Sequence, residues 1–365
     1  MIDIKQIIKN NSSLESWLRL GLTSKVGPRT IFKLLEHFGS IENILEQNLT
    51  TLEQFTNKTV AKLIYSRISD TFVSNSIKWQ QQKPNRHLIS IQDNRYPLEL
   101  LQISDPPVIL YLEGDISYLN KKKFAIVGTR HPTNQGAENA MNFARDLSNN
   151  GLTIVSGVAS GVDRYAHLGA LQGKYSTIGV IGTGVDVRYP KTNSDIYDKI
   201  IESGLLVSEF AIGTMPLSQN FPRRNRIVAG LSIGLLVVES TIDGGSLISA
   251  NLALEMGREV MAIPGSIYNP VAKGCHKLIK SGAKLVENVN DILEEIMPML
   301  EESIIDESQC PEPILEIMGF EPINIDALCI KVQQDFSEIC AKLLEFELSG
   351  LITNCGGGYY QRIFK

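Results

Sequence analysis

FAIVGTR, residues 124–130, and TIVSGVASGVD, residues 153–163, are the two stretches that decide the fold. Each opens with a short run of β-branched and apolar residues, which predicts a strand, and closes with glycines and small polar residues. A continuous apolar run without alternation is typical of a parallel strand that is covered by helices on both faces. The two stretches therefore predict a Rossmann-like sheet with a glycine-rich loop at the carboxyl end of each strand.

The same pattern extends outward over residues 83–298. Short apolar runs alternate there with amphipathic stretches, which predicts an α/β domain built on an extended parallel sheet. Helices are predicted at 135–149, 162–172, 193–202 and 246–257. The predicted strands are His87–Ile91, Val108–Leu112, Phe124–Val127, Thr153–Val155, Thr177–Ile181, Leu205–Val207, Leu235–Val238, Val260–Ile263 and Lys284–Val286.

Two smaller units flank this domain. Residues 1–82 show apolar residues at helical spacing, beginning at Leu14 and Trp17, and predict a helical module of the SAM or helix-hairpin type. Residues 299–313 form an acidic linker that ends in prolines. Residues 314–365 predict three short helices and a β-hairpin, which together make a winged helix.

The third helix of the predicted winged helix is acidic. Lys342 is its only basic residue, against Asp335, Glu338, Glu345 and Glu347. Phosphates repel such a helix, so a packing or protein-contact role is favoured over reading of the DNA major groove.

The negative net charge of the chain comes from one acidic segment. The formal net charge of the 365 residues is −5, but residues 286–316 hold ten acids and no Lys or Arg. The rest of the chain therefore has 35 basic residues and only 30 acidic ones. Five cysteines without a C-x-x-C pair favour reduced thiols over disulfides or zinc. With no secretory signal and no membrane-spanning apolar run, the expected location is the cytoplasm.

The usual signatures of nucleotide chemistry are missing. The sequence has no G-x-G-x-x-G, no P-loop and no H-E-x-x-H, so we expect no cofactor, no metal and no catalytic residues. Glycine-rich strand ends are present instead, at 128–130, 156–161, 182–184 and 244–246. Such ends meet at one edge of a parallel sheet, where backbone amides attract anions. Gly128, Thr129, Arg130, Gly244, Gly245 and Ser246 are the candidate binding residues of this edge.

Basic residues with aromatic neighbours join the same edge. Arg130 and Lys191 each follow a predicted strand, and FPRRNR, residues 221–226, is the densest basic cluster. Arginines that contact phosphates, beside rings that stack on bases, suit single-stranded nucleic acid. Two alternatives stay open, a core position for Phe221 and a buried carboxylate partner for Arg226. The cluster adds Phe221, Arg223, Arg224, Asn225 and Arg226 to the candidate residues.

One pair of titratable residues invites an enzymatic interpretation. Asp163 and His167 stand four apart at the start of a predicted helix, so they share a face and an acid/base pair is conceivable. A structural role, with a carboxylate at the helix start and a hydrogen-bonded histidine, is favoured.

Taken in order, the motifs resemble those of the DNA-processing protein A (DprA/Smf) family. The resemblance covers about residues 93–286, and the flanking units fit the family's three-part layout more loosely. It rests on VGTR (127–130), SGVASGVDRYAHLGAL (156–171), GTGVDVRYPKTN (182–193), FPRRNRIVAGLS (221–232) and GGSLISANLALEMGREVMAIPGS (244–266).

The resemblance implies a function. It implies a homodimer that binds and protects single-stranded DNA, independently of sequence, during natural transformation and loads the RecA recombinase onto it, without being an enzyme. It places the DNA-binding pocket on Gly128-Thr129-Arg130, on Lys191 and on Arg223 to Arg226. The alternatives are a nucleotide-processing Rossmann enzyme of the phosphoribohydrolase kind and a nucleotide sensor.

Overall fold

The structure is a computed structural model that describes residues 12–67, 69–296, 313–318, 322–332, 336–348 and 351–362. The chain divides into two compact units, one that ends at Ile296 and one that begins at Met297. Apart from Pro313, the predicted acidic linker 299–313 lies outside the described residues.

A nine-stranded sheet forms the first unit, in the order β1-β2-β6-β5-β4-β3-β7-β8-β9. The predicted Rossmann-like α/β fold is confirmed, and the strands from β6 to β9 in this order are all parallel. The expectation of a fully parallel sheet is wrong at one edge, where β1 pairs antiparallel with β2 and β2 with β6. The strands are β1 (Arg86–Ser90), β2 (Ile109–Gly114), β3 (Lys123–Val127), β4 (Thr153–Ser156), β5 (Thr177–Val180), β6 (Leu205–Ser208), β7 (Gly234–Val237), β8 (Glu259–Ala262) and β9 (Lys284–Leu285).

The strand order reverses at β3. From β3 the chain builds outward through β4, β5 and β6 on one side, and then returns to place β7, β8 and β9 on the other. In open α/β sheets, ligands bind outside the carboxyl ends of the strands at such a switch point.

Helices follow the parallel strands. They are α8 (Asn134–Asn149), α9 (Val162–Ala170), α10 (Ser194–Ser203), α11 (Asn220–Gly230), α12 (Gly245–Glu255) and α13 (Lys273–Lys280), and residues 289–296 are also helical. Most were predicted, but the basic cluster FPRRNR was assigned no helix and lies within α11. None of the helices in the described part of the chain has the length and apolar character needed to cross a bilayer.

The N-terminal helices pack onto the antiparallel edge of the sheet. Trp17 of the first described helix, Leu14–Gly21, is fully buried, and its indole N–H donates to Gln92 Oε1 at 2.9 Å, just beyond β1. Trp17 and Ile89 belong to one continuous apolar core. The helical module and the sheet therefore form one compact unit, and a boundary between residues 82 and 83 stays a prediction. The helices are α1 (Leu14–Gly21), α2 (Pro28–Phe38), α3 (Ile41–Glu46), α4 (Leu49–Phe55), α5 (Lys58–Tyr65) and α6 (Asp70–Gln81), and the short α7 (Leu98–Leu101) follows β1.

The second unit has the predicted winged-helix elements and its own core, which includes Leu328, Ile339 and Leu343. A short strand that the sequence did not predict, β10, joins the hairpin in a sheet of order β10-β12-β11. Asp335, expected to cap the third helix, lies outside the described residues. The elements are α14 (Pro313–Met318), β10 (Ile323–Asn324), α15 (Ile325–Val332), α16 (Phe336–Leu348), β11 (Ile352–Gly356) and β12 (Tyr359–Arg362).

Candidate nucleic-acid interface

A crevice of about 700 Å³ opens at the switch point of the sheet, where the loops after β3, β4 and β7 meet. Most of the residues predicted to bind a ligand line it together, although they are more than a hundred positions apart in sequence. Lys191, Arg223 and Arg226 are not among its lining residues. Those that do line it are Gly128, Thr129, Arg130, Phe221, Arg224, Asn225, Gly244, Gly245 and Ser246.

Glycines allow the loops after β3 and β4 to approach closely. Gly161 has a φ of 78°, and a Cβ atom there would lie 2.4 Å from the carbonyl oxygen of Thr129. A Cβ atom on Gly128 would lie 2.5 Å from a methyl carbon of Val162. Because the two loops touch, the amide of Val162 donates to the Thr129 carbonyl at 3.1 Å and fixes the start of α9 at the crevice.

A cation and two aromatic rings form one wall. Arg130 is exposed, and its guanidinium carbon lies 5.8 Å from the ring centroid of Phe221. The ring of Tyr189 lies 5.7 Å from that of Phe221 and is exposed to the crevice. Tyr189 lies in the motif GTGVDVRYPKTN but was not among the predicted site residues; its signal was an aromatic residue two positions before Lys191.

A second wall is the start of α12. This helix begins after Gly244 with no side-chain cap, and Gly245 is exposed to the crevice. The hydroxyl of Ser246 donates to Ser240 Oγ at 2.8 Å, so the loop after β7 is held against the helix start. Uncapped amides at a helix start carry partial positive charge and attract anions such as phosphate.

Arg224 lies in the floor of the crevice rather than on its rim. It is 5% exposed, and Nη1 donates to the carbonyl oxygen of Val180 at 2.5 Å and to that of Gly157. Burial lowers the pKa of Arg224, and the nearby carboxylate of Asp163 opposes that change. The guanidinium therefore ties the ends of β4 and β5 together from below the crevice.

The other two arginines of α11 do not line the crevice, and both approach Glu209. Arg226 is buried and forms an ion pair with Glu209, which is the structural alternative considered from the sequence. Burial raises the pKa of Glu209. Arg223 is about half exposed, with Nη2 3.4 Å from Glu209 Oε2 and its guanidinium 5.3 Å from the ring of Phe210. Glu209 was not predicted as part of the site, because it is a lone acid after β6 with no local sequence pattern to mark it.

Lys191 is exposed and begins a short 3₁₀ helix, Lys191–Asn193, next to the crevice. Asn193 at its end is buried and was also missed. The side-chain amide of Asn193 donates to the carbonyl oxygens of Val158 and Ala159, each at 3.0 Å. These bonds anchor the loop that carries Lys191 to the loop after β4.

Asp163 and His167 have structural partners. The Asp163 carboxylate accepts from the Ala159 amide at 3.3 Å. Thr177 Oγ1 donates to a backbone carbonyl, so it accepts from the Nδ1–H of His167 at 2.7 Å. Burial lowers the pKa of His167 to about 3. Among the residues that the structure describes, no three His, Cys, Asp or Glu side chains come together as a metal site.

Known proteins resemble this chain over most of its length. Residues 87–297 match the family described as DNA recombination-mediator protein A, and residues 300–358 match the DprA winged helix domain. Protein Smf of Escherichia coli is 39% identical over 79% of this chain and 80% of its own. The DNA processing protein DprA of Streptococcus pneumoniae is 41% identical over 75% of this chain and 94% of its own.

Two solved structures share the fold. The X-ray structure of DNA processing protein A from Streptococcus pneumoniae superposes with a TM-score of 0.69 and covers 78% of this chain and 99% of that one, at 39% identity. DNA processing protein A from Helicobacter pylori, whose structure is described as showing a unique single-stranded DNA binding mode, gives a TM-score of 0.54 over 60% of this chain and 99% of that one, at 30% identity. Residues 87–297, which include the switch-point crevice, match the family model. The chain therefore belongs to the DNA recombination-mediator protein A family.

Proposed function

We propose that the crevice binds single-stranded DNA without regard to base sequence. The observation that carries the proposal is the pairing of its two walls. Arg130, the rings beside it and the uncapped start of α12 line one crevice of about 700 Å³. Cationic side chains and helix-start amides suit the phosphates, and the exposed ring of Tyr189 suits an unpaired base.

The proposed DNA site comprises the twelve residues predicted from the sequence, with different roles. Arg130, Lys191 and Arg223 are exposed and are proposed to contact phosphates directly. Arg224 and Arg226 are buried, so we propose that they support the site by positioning the loops after β4 and β6. The Helicobacter pylori relative, described as binding single-stranded DNA, supports this choice of ligand.

The experiment is a binding titration of the full chain with labelled oligonucleotides of equal length. We expect similar affinity for several single-stranded sequences and much weaker binding of a duplex. Each phosphate contact contributes a slope of about −0.7 to the logarithm of affinity against the logarithm of salt for single strands. Three or four contacts therefore predict a slope of about −2 to −3. A preference for duplex DNA, or a slope near zero, would refute the proposal.

We further propose that the bound strand is passed to RecA, as expected for a recombination mediator. The test is strand exchange by the cognate RecA on DNA that is coated with single-strand binding protein. Relief of the block by this protein supports the mediator role. Failure to relieve it, with single-strand binding intact, would leave a DNA binder that does not load RecA.

The chain is proposed to act without catalysis. Two carboxylates at or beside the crevice, the buried Asp163 and the half-buried Glu239, already have partners. Asp163 accepts from Ala159, and Glu239 accepts from the amide and hydroxyl of Thr133, at 2.8 and 2.6 Å. Nucleotide turnover that copurifies with the protein, and that is lost when Gly245 is substituted, would favour the phosphoribohydrolase-like alternative instead.

We also propose a homodimer. Ile248 and Leu254 of α12 are 44% and 49% exposed, which leaves apolar surface on a helix that is apolar on most sides. Light scattering at micromolar concentration is expected to give twice the mass of one chain, and a monomer alone would contradict the proposal.

A further inference from the structure

Tyr189 combines a fixed backbone with an exposed ring. The buried hydroxyl of Tyr197 accepts from the Tyr189 amide at 3.3 Å and donates to the Tyr189 carbonyl at 2.9 Å. Both polar groups of this residue's backbone are thus held by one side chain of α10. The Tyr189 side chain is nevertheless 42% exposed. The loop therefore presents the ring to solvent from a rigid support.

The ring stands where a base would meet the crevice. Tyr189 lines the crevice and also a smaller adjoining cavity of about 70 Å³. One side of the ring is supported by Phe221, at 5.7 Å between centroids and a tilt of 38°. Phe221 in turn rests on the end of β5, where a Cβ atom on Gly182 would lie 3.0 Å from its ring. Phe221 is thus the support, and Tyr189 is the ring that remains accessible.

The tyrosine hydroxyl has no partner among the residues that the structure describes, so no hydrogen bond there accounts for the ring's position. A rigid, half-exposed aromatic ring loses little side-chain entropy when a base stacks on it. Phosphate-binding groups lie beside it, since Arg130 covers the neighbouring ring of Phe221 at 5.8 Å. Backbone and base of one strand can therefore be held side by side.

From these contacts we propose that Tyr189 is the stacking platform for one unpaired nucleobase, and that Phe221 is its support rather than a second platform. This inference rests on the proposed function, because it names the part of the strand that one residue of the same crevice holds. Stacking requires only the π-face of a base, so the platform accepts any base.

The test compares oligonucleotides with normal bases and abasic oligonucleotides of the same length, which keep every phosphate. Tyr189→Ala is expected to weaken binding of the normal strand at least about fivefold, the lower end for loss of one stacked base. Binding of the abasic strand is expected to stay unchanged. Tyr189→Phe, which keeps the ring, is expected to bind like the unaltered chain. Tyr175→Ala removes a tyrosine of similar exposure, 37%, at the amino-terminal edge of β5, and serves as the matched control.

The outcomes separate the two proposals. An unaltered chain that does not bind the normal strand refutes the proposed function itself. If the unaltered chain binds but Tyr189→Ala has no effect, or weakens both strands equally, the stacking platform is wrong. A loss with Tyr189→Phe would assign the contact to the hydroxyl and also overturn the inference. Should Tyr189→Ala lower the thermal midpoint, Tyr189→Leu keeps the bulk without the π-system and must show the same selective loss.

Discussion

Arg226 and Glu209 form an ion pair inside the sheet domain, with side chains that are only 8% and 5% exposed. The pair joins α11 to the segment after β6, and Asp105 adds a second carboxylate 3.5 Å from Arg226 Nε. A buried ion pair is costly to break, because removal of one partner leaves the other charge without compensation.

Arg226→Ala is therefore expected to destabilise the protein. The free energy of unfolding should fall by about 3–5 kcal/mol, since Glu209 would lose its buried partner. Arg223→Ala is the matched control: it removes the exposed arginine that also approaches Glu209 and should cost less than about 1 kcal/mol. Urea unfolding of both variants measures the difference. Equal effects would show that burial of Arg226 contributes nothing.

His167 makes stability depend on pH. Burial lowers its folded pKa to about 3, from an ordinary value of 6.5, so the unfolded chain takes up the proton first as pH falls. The free energy of unfolding is therefore independent of His167 protonation above about pH 6.5, and it decreases as the pH falls from there towards 3. One proton gives a slope of about 1.4 kcal/mol per pH unit within that window.

The measurement is urea unfolding at several pH values in that window for the unaltered chain and for His167→Gln, whose amide can still donate to Thr177. The other titrating groups are common to both proteins, so the difference in slope isolates His167. Parallel pH profiles for the two proteins would contradict the prediction.

Exposed cations around the crevice are expected to control DNA affinity. Arg130→Glu and Lys191→Glu should each weaken single-strand binding for all sequences alike and reduce the salt slope by about 0.7. Lys174→Glu makes the same charge change at an exposed lysine before β5, at the opposite edge of the sheet, and should leave the slope unchanged. Titration of each variant at several salt concentrations tests this, and an equal loss in Lys174→Glu would point to a nonspecific effect of net charge.

Gly245→Asp is expected to separate stability from binding. A side chain fits there, because a Cβ atom on Gly245 meets nothing within 4 Å. A carboxylate in the first turn of α12 stabilises the helix by about 0.3–1 kcal/mol. The same charge would repel a phosphate at the crevice, so affinity for single strands should fall. Thermal melts and titrations measure the two effects, and undiminished binding would remove the start of α12 from the proposed site.

The winged-helix unit is expected to be dispensable for single-strand binding. A chain that ends at Ile296 keeps one compact unit and every residue of the proposed site. The third helix, α16, carries more acids than bases, so its loss removes little attraction for phosphates. The shortened chain should bind single strands about as tightly as the full chain. A large loss of affinity would assign part of the DNA site to the second unit.

The sequence by itself determined the fold class and the edge of the sheet at which the crevice lies. Strand-like runs such as FAIV, residues 124–127, and the glycines after them are local patterns, and in a parallel sheet the carboxyl ends of strands must meet at one edge. The crevice at the ends of β3, β4 and β7 follows from those patterns. The antiparallel pairing of β1 and β2 does not, because pairing direction depends on the path of the chain between strands.

Only the tertiary structure decided which of the basic residues are free to bind. Arg223, Arg224 and Arg226 are nearly adjacent in sequence, but on α11 they point in different directions about the helix axis. Arg223 faces solvent, Arg224 meets carbonyls at the ends of β4 and β5, and Arg226 meets Glu209, 17 positions earlier. The carbonyls that Arg224 contacts and the carboxylate that Arg226 contacts lie on other elements, and the packing of those elements sets the burial of the two guanidinium groups. A run of arginines therefore predicts positive charge near the site, whereas the fold determines which arginine carries it to the surface.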